Sequence, residues 1–162
     1  MTDLPIFIVD REFKAPRSLV WRTWTDPKLL AHWYGPGVET VIHKFELKPE
    51  GVWLNEMKMK GGSNFQKVVF KEIDEPSKLV WHHCSADADW NVVANPMMPD
   101  WPRKLLTTVT FEERESGTMV RLTQVPLDAT EAEIACFDQM KDGMSGGWGM
   151  GFKLIDEMLV SL

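Results

Sequence analysis

The stretch TEAEIACFDQMKDGMSGGWGMGFKLIDEML, residues 130–159, decides the fold. Thr130 can cap the free amides of a helix while Glu133, three positions later, reaches back to the cap residue, and Asp128 adds charge near the positive end of the dipole. Ile134, Phe137, Lys141, Met144, Trp148, Phe152, Ile155 and Leu159 recur at steps of three or four, so one face stays mostly apolar. Glycines at 143, 146, 147, 149 and 151 interrupt that pattern, and each costs a free helix about 1 kcal/mol relative to Ala. The spacing predicts a short helix over 130–141 and a long one from about Ser145, continuous or kinked. The glycines then serve close approach to a sheet or leave space for a ligand.

Outward from this helix the texture is that of strands. Runs at 6–13, 40–47, 52–60, 65–73, 78–85, 104–114 and 118–125 are short and rich in β-formers. Pro49-Glu50-Gly51, Lys60-Gly61-Gly62-Ser63, Asp74-Glu75-Pro76-Ser77 and Glu115-Ser116-Gly117 read as the turns between them. Pro16 suits the first position of a helix carrying Leu19, Val20 and Trp24. Asp26-Pro27 repeats that signal for a second helix, which ends near Trp33 before Gly35-Pro36-Gly37. Residues 87–102 hold three prolines close together beside Trp90, Met97, Met98 and Trp101, so they cannot continue a central strand. They are expected to form a loop near a cavity mouth.

Composition narrows the class. The 162 residues fit one domain, 1–162, and 44 % apolar against 26 % charged residues is an ordinary globular mixture. A formal charge of -6 without a basic run makes nucleic acid an unsuitable partner. Neither a signal peptide nor a membrane span is supported by the start Met1-Thr2-Asp3-Leu4-Pro5 or by any apolar run. Cys84 and Cys136 resemble neither a disulfide scaffold nor a metal cluster, so a cytoplasmic location is expected. Eight Trp, eight Phe and ten Met beside one Tyr supply a large bulky apolar surface, for a core or for a cavity.

The ordered set Phe13-Lys14-Ala15-Pro16, Leu19-Val20-Trp21, Trp24-Thr25-Asp26-Pro27, Leu30, Trp33, Pro49-Glu50-Gly51-Val52-Trp53, Phe70-Lys71-Glu72-Ile73, Pro76, Leu79-Val80-Trp81, Gly117-Thr118 and Gly147-Trp148 with Phe152, Ile155 and Leu159 spans nearly the whole chain. It resembles the START-like (SRPBCC) helix-grip superfamily, and more closely the subfamily similar to the C-terminal domain of the activator of the ninety-kilodalton heat-shock protein ATPase. The resemblance implies an α+β fold: a curved antiparallel sheet, two short N-terminal helices and a long C-terminal helix across the concave face. It also implies hydrophobic ligand binding in an internal cavity, with some superfamily members acting as aromatic cyclases. It transfers no catalytic motif, and chaperone activation also relies on a separate N-terminal domain that is not expected here. Glu50 departs from the pattern, since many relatives carry a second glycine there.

The residues offer little for bond-making chemistry. His32, His43, His82, His83, Cys84 and Cys136 lack metal-ligand spacing, and adjacent His82 and His83 point to opposite faces of a strand. Ser145 is not in a nucleophile elbow, and no phosphate-binding or dinucleotide motif occurs, so no cofactor and no metal are indicated. His83, on the face of Leu79 and Trp81, is a candidate acid or base, and Asp87 and Asp89 stand beyond that strand. A cavity needs only shape and burial. Its candidate lining is Trp53, Asn55 and Met57 from one strand, Phe70, Trp81 and His83, Val109 and Phe111, Leu122, the loop residues Trp90 and Trp101, and Met144, Trp148 and Ile155 from the helix. A small hydrophobic or aromatic ligand is the leading expectation, bound by a monomer or homodimer. A protein-interaction or chaperone-associated module, and a small-molecule enzyme such as an aromatic cyclase or hydrolase using polar cavity residues, are the alternatives.

Overall fold

A computed structural model describes residues 4–162, so the reading of Met1, Thr2 and Asp3 lies outside the described residues. Seven strands form one antiparallel sheet: β1 (Phe7–Phe13), β2 (Glu39–Phe45), β3 (Val52–Met59), β4 (Gly62–Asp74), β5 (Lys78–Ala86), β6 (Lys104–Arg114) and β7 (Gly117–Pro126). Their spatial order is β1-β7-β6-β5-β4-β3-β2. From β2 to β7 the chain is thus a meander, and β1 joins at the far edge by pairing with β7. Register breaks between Ile42 and Lys44 and between Phe70 and Glu72 accompany the curvature of the open sheet. The turn before β3 shows why glycine would suit position 50, where this chain carries Glu. Glu50 stands at φ 66, in the left-handed region where glycine is cheapest, and a Cβ on Gly51 would meet the Glu46 carbonyl at 2.2 Å.

Helices α1 (Arg17–Thr25) and α2 (Pro27–Trp33) lie between β1 and β2. Pro16 serves as the cap of α1 rather than its first residue, while Pro27 stands at the start of α2 and Asp26 Oδ1 accepts from the Lys28 amide at 3.0 Å. The C-terminal segment is one helical run. Helix α3 (Glu131–Met140) continues through a 3₁₀ turn at Lys141–Gly143 into α4 (Met144–Leu159), so the glycines tighten the path without breaking it. The capping box forms as expected. The Glu133 amide donates to Thr130 Oγ1 at 3.1 Å and the Thr130 amide to Glu133 Oε1 at 3.0 Å.

Alternation on the strands sorts the two faces. Trp53 and Asn55, Val68 and Phe70, Leu79 and Trp81, Val109 and Phe111, and Val120 and Leu122 are all buried and face the helices, where Val20, Trp21, Trp24, Leu30, Trp33, Phe152 and Ile155 meet them. Arg11 pairs with Asp156, which ties edge strand β1 to α4. This is the α+β helix-grip architecture, with the long helix across the sheet.

Candidate functional site

The helix does not seal the sheet along its whole length. At the end where α4 begins, a cleft of about 230 Å³ opens between α2, β3 and α4, lined by Trp33, Tyr34, Gly35, Pro36, Met57, Met144, Gly147, Trp148 and Gly151. Its walls are almost wholly apolar, and none of its side chains is charged. Two glycines build it in different ways. A Cβ on Gly151 would stand 3.0 Å from Trp33 Cε3, so that glycine lets α4 press on α2. A Cβ on Gly147 would meet nothing within 4 Å, so that glycine leaves the cleft open.

Behind the cleft, five aromatic side chains close into a cycle. Trp148 stacks on Trp24 with centroids 6.2 Å apart and planes 14° from parallel, and Tyr34 meets Trp148 at 6.0 Å. Tyr34 contacts Trp53 at 4.9 Å, Trp53 contacts Trp81 at 6.1 Å, and Trp81 returns to Trp24 at 6.4 Å. These separations are in the favourable range for aromatic pairs. Four of the five are buried, and Trp148 alone is half-buried, standing between the cleft and the interior.

The same interior holds polar atoms without partners among the described residues: Trp24 Nε1, Trp81 Nε1, Asn55 Nδ2, Gln66 Oε1 and His83 Nδ1. A buried donor left unpaired costs about 1–3 kcal/mol. Asn55 Oδ1 accepts from Trp53 Nε1 at 3.3 Å, and Asn55 and Gln66 are register partners across β3 and β4, so their free amide groups stand on neighbouring strands. The two indole N–H groups belong to adjacent members of the aromatic cycle. Burial drives the His83 imidazole down to about 4, which keeps it neutral near neutral pH, and burial likewise pushes the Tyr34 phenol up. Among the described residues no group of three or more His, Cys, Asp or Glu is placed to hold a metal ion.

The predicted lining divides into three sets. Met57, Met144 and Trp148 line the cleft. Trp53, Asn55, Phe70, Trp81, Val109, Phe111, Leu122 and Ile155 are buried behind it, packed against one another and the helices, while His83 is half-buried in the same strand face as Trp81. The loop residues go elsewhere. Trp90 packs on Phe65 at 5.4 Å and on His43 at 5.5 Å. Phe65 pairs with Glu56, which alternates with Trp53, Asn55 and Met57, so Trp90 covers the opposite face of the sheet. Trp101 packs on Phe137 at 5.4 Å and helps line a second groove of about 450 Å³ with Met97, Met98, Met140 and Met144.

Sequence reading gives no role to Tyr34, takes Gly35 and Pro36 only as a helix break, and uses Trp24 and Trp33 only for the early helices and the family resemblance. The glycines read there as close approach or ligand space, and Gly147 and Gly151, four apart and in step with Met144 and Trp148, are the two that line the cleft.

The sequence profile of the family described as "Activator of Hsp90 ATPase homolog 1-like protein" matches residues 14–160. Among solved structures, protein Ms6760 from Mycobacterium smegmatis superposes with a TM-score of 0.79 at 23% identity, over 98% of this chain and 96% of that one. A protein from Arthrobacter aurescens, solved by solution NMR, gives 0.79 and 23% over 97% and 87% of the two chains. Protein NE0264 from Nitrosomonas europaea gives 0.72 and 22% over 96% and 94%. These likenesses establish the shared fold. No curated protein matches the chain.

Proposed function

The chain belongs to the activator of Hsp90 ATPase homolog 1-like family, and from that membership and the cleft we propose that it binds a small apolar molecule beside Trp148. The observation that carries the reading is the uncharged cleft between Tyr34, Met57 and Trp148, kept open by a glycine with empty space at its Cβ position. Drug-sized ligands occupy pockets of about 300–1,000 Å³, so a cleft of about 230 Å³ fits a molecule of one or two rings. The two cysteines are free, and among the described residues no helix is long and apolar enough to cross a membrane; a single cytoplasmic domain, acting as monomer or homodimer, completes the proposal.

Titration with naphthalene, followed by calorimetry, tests it. One saturable site per chain is expected, and Gly147→Leu, whose Cβ meets nothing within 4 Å, should abolish it by projecting into the cleft, with folding checked by circular dichroism. Naphthalene bound equally by the folded variant would remove the ligand from this cleft.

A second reading has its own observation. Met97 is 79% exposed and, with Met98, Met140, Met144 and Trp101, lines the groove beside the start of α4. Flexible thioethers suit an adaptable protein-interaction surface. Met97→Lys with Met140→Lys should then weaken capture of an amphipathic partner helix and leave naphthalene binding unchanged.

A further inference from the structure

We infer that the ligand of the cleft is a neutral planar aromatic molecule carrying a carbonyl-type acceptor, and that it takes the place of the Trp148 indole so that its oxygen meets the buried N–H groups of Trp24 and Trp81. The inference rests on the small-molecule reading of the cleft and adds to it the shape and polarity of the occupant.

Shape follows from the aromatic cycle. Trp148 is its one half-buried member, nearly parallel to Trp24 and roughly edge-on to Tyr34, at 14° and 76°. An indole that swings out leaves a slot bounded by those same rings, and a flat ring refills it with the same contacts. The backbone around Trp148 favours the swing. Gly146, Gly147 and Gly149 flank it, none has a neighbour within 4 Å of a Cβ position, and glycine weakens a helix interior. The displaced indole also adds its own volume to a cleft that is small by itself.

Polarity follows from the orphaned donors. Trp24 and Trp81 are 3% and 1% exposed, their Nε1 atoms have no partner among the described residues, and the two rings are neighbours in the cycle. Asn55 Nδ2 and Gln66 Oε1 lie on paired residues and can satisfy each other, whereas two N–H donors cannot. An acceptor on the ligand completes them. Charge is excluded on the same grounds, because no cationic side chain lines the cleft or belongs to the cycle, and an unpaired buried carboxylate is far costlier than a neutral carbonyl.

Four probes on the parent protein test this: 2-acetylnaphthalene, the acceptor-free hydrocarbon 2-ethylnaphthalene, the aliphatic ketone 2-dodecanone, and 2-naphthoate. The acetyl compound should bind about ten-fold more tightly than 2-ethylnaphthalene, the step expected for a buried hydrogen bond, and more tightly than 2-dodecanone, which lacks the ring, and 2-naphthoate, which carries a charge. Trp81→Phe and Trp24→Phe, each of which keeps a ring and removes the N–H, should erase the advantage over 2-ethylnaphthalene while that hydrocarbon still binds. Emission should shift to the red on binding in the parent, and that shift should be lost in Trp148→Phe, which assigns it to the displaced indole among the eight tryptophans. Equal affinity for the acetyl and ethyl compounds overturns the acceptor and leaves the cleft reading standing. Tighter binding of 2-dodecanone overturns the planar ring, and tighter binding of 2-naphthoate overturns neutrality. Failure of all four to bind overturns both this inference and the function it rests on.

Discussion

The indole of Trp148 lies 14° from parallel with that of Trp24, 6.2 Å between centroids, although one is half-buried and the other sealed in the core. A ring so placed is half core and half cleft wall, and its removal should be read on both scales. Trp148→Ala should cost about 1–3 kcal/mol, below the 3–5 kcal/mol typical of a fully buried Trp, because part of the void opens into the cleft. Ile155→Ala, at a fully buried position of the same helix, should cost about 3–5 kcal/mol despite its smaller side chain. Urea melts of the two variants check the order.

Two glycines four residues apart should respond with opposite signs. Gly151→Ala places a methyl 3.0 Å from the Trp33 ring and 3.2 Å from its carbonyl oxygen, and should destabilise by about 1–3 kcal/mol. Gly147→Ala meets open space and should stabilise by about 0.5–1 kcal/mol through helix propensity and a less flexible unfolded chain. Thermal unfolding with the midpoints moving the same way would show that α4 packs differently here.

Acid should weaken the fold through His83. Burial holds its folded value down to about 4, whereas an unfolded His takes a proton below about pH 6.5. The unfolded chain therefore binds more protons between those limits, so the contribution is complete above about pH 6.5, falls as the pH drops toward 4, and is constant below. Because the ring is only half-buried, the loss attributable to this group is at most about 3 kcal/mol. His82 is shifted in the same direction, first by burial and then by Lys71 and Lys104, so the difference between the parent and His83→Leu isolates the single residue. Parallel stability curves of the two over this range would contradict it.

Glu133 holds more than its own cap. Besides the Thr130 amide, its carboxylate accepts from the Arg103 amide at 2.8 Å, which pins the end of the loop before β6 to the start of α3. Glu133→Ala should cost about 2–4 kcal/mol and Thr130→Ala about 1 kcal/mol. Burial opposes the Glu133 charge, but the amides of Thr130 and Arg103 outweigh it and lower the carboxyl below its ordinary value. Its share of stability is thus present above the unfolded value, about pH 4.3, and is lost as the pH falls further. Denaturation midpoints at pH 7 and pH 3 should show the gap between parent and Glu133→Ala closing.

The strands, the capping box and the Asp26-Pro27 helix start were legible because each rests on local rules: alternation, turn residues, a cap three positions from its partner. The cleft was only half legible. Alternation says that Trp53, Asn55 and Trp81 share a face, but whether that face encloses space or is filled depends on the depth of curvature and on how close α4 comes. That approach is set by Gly151 against Trp33, a contact between residues more than a hundred positions apart. Trp90 went astray for a related reason. A loop with left-handed backbone at Trp90 itself, φ 66, turns the indole toward Phe65, and no periodicity constrains which side of a sheet a loop chooses.

The pairing of β1 with β7 fixes when the protein can become itself during synthesis. Phe13 lies opposite Thr118, and Thr118 Oγ1 donates to the Ala15 carbonyl across 103 residues of chain. At the usual elongation rate of about 5–20 residues per second, the first strand waits roughly 5–20 s for its partner, and Trp24 waits longer for the helix carrying Trp148 and Phe152. Through that interval Phe7, Phe13, Trp21 and Trp24 have emerged without the surface that covers them, so the nascent chain presents an aromatic segment before its partners exist. Delay or truncation late in translation therefore releases an aromatic, unpaired N-terminal segment, the species on which a holdase would act.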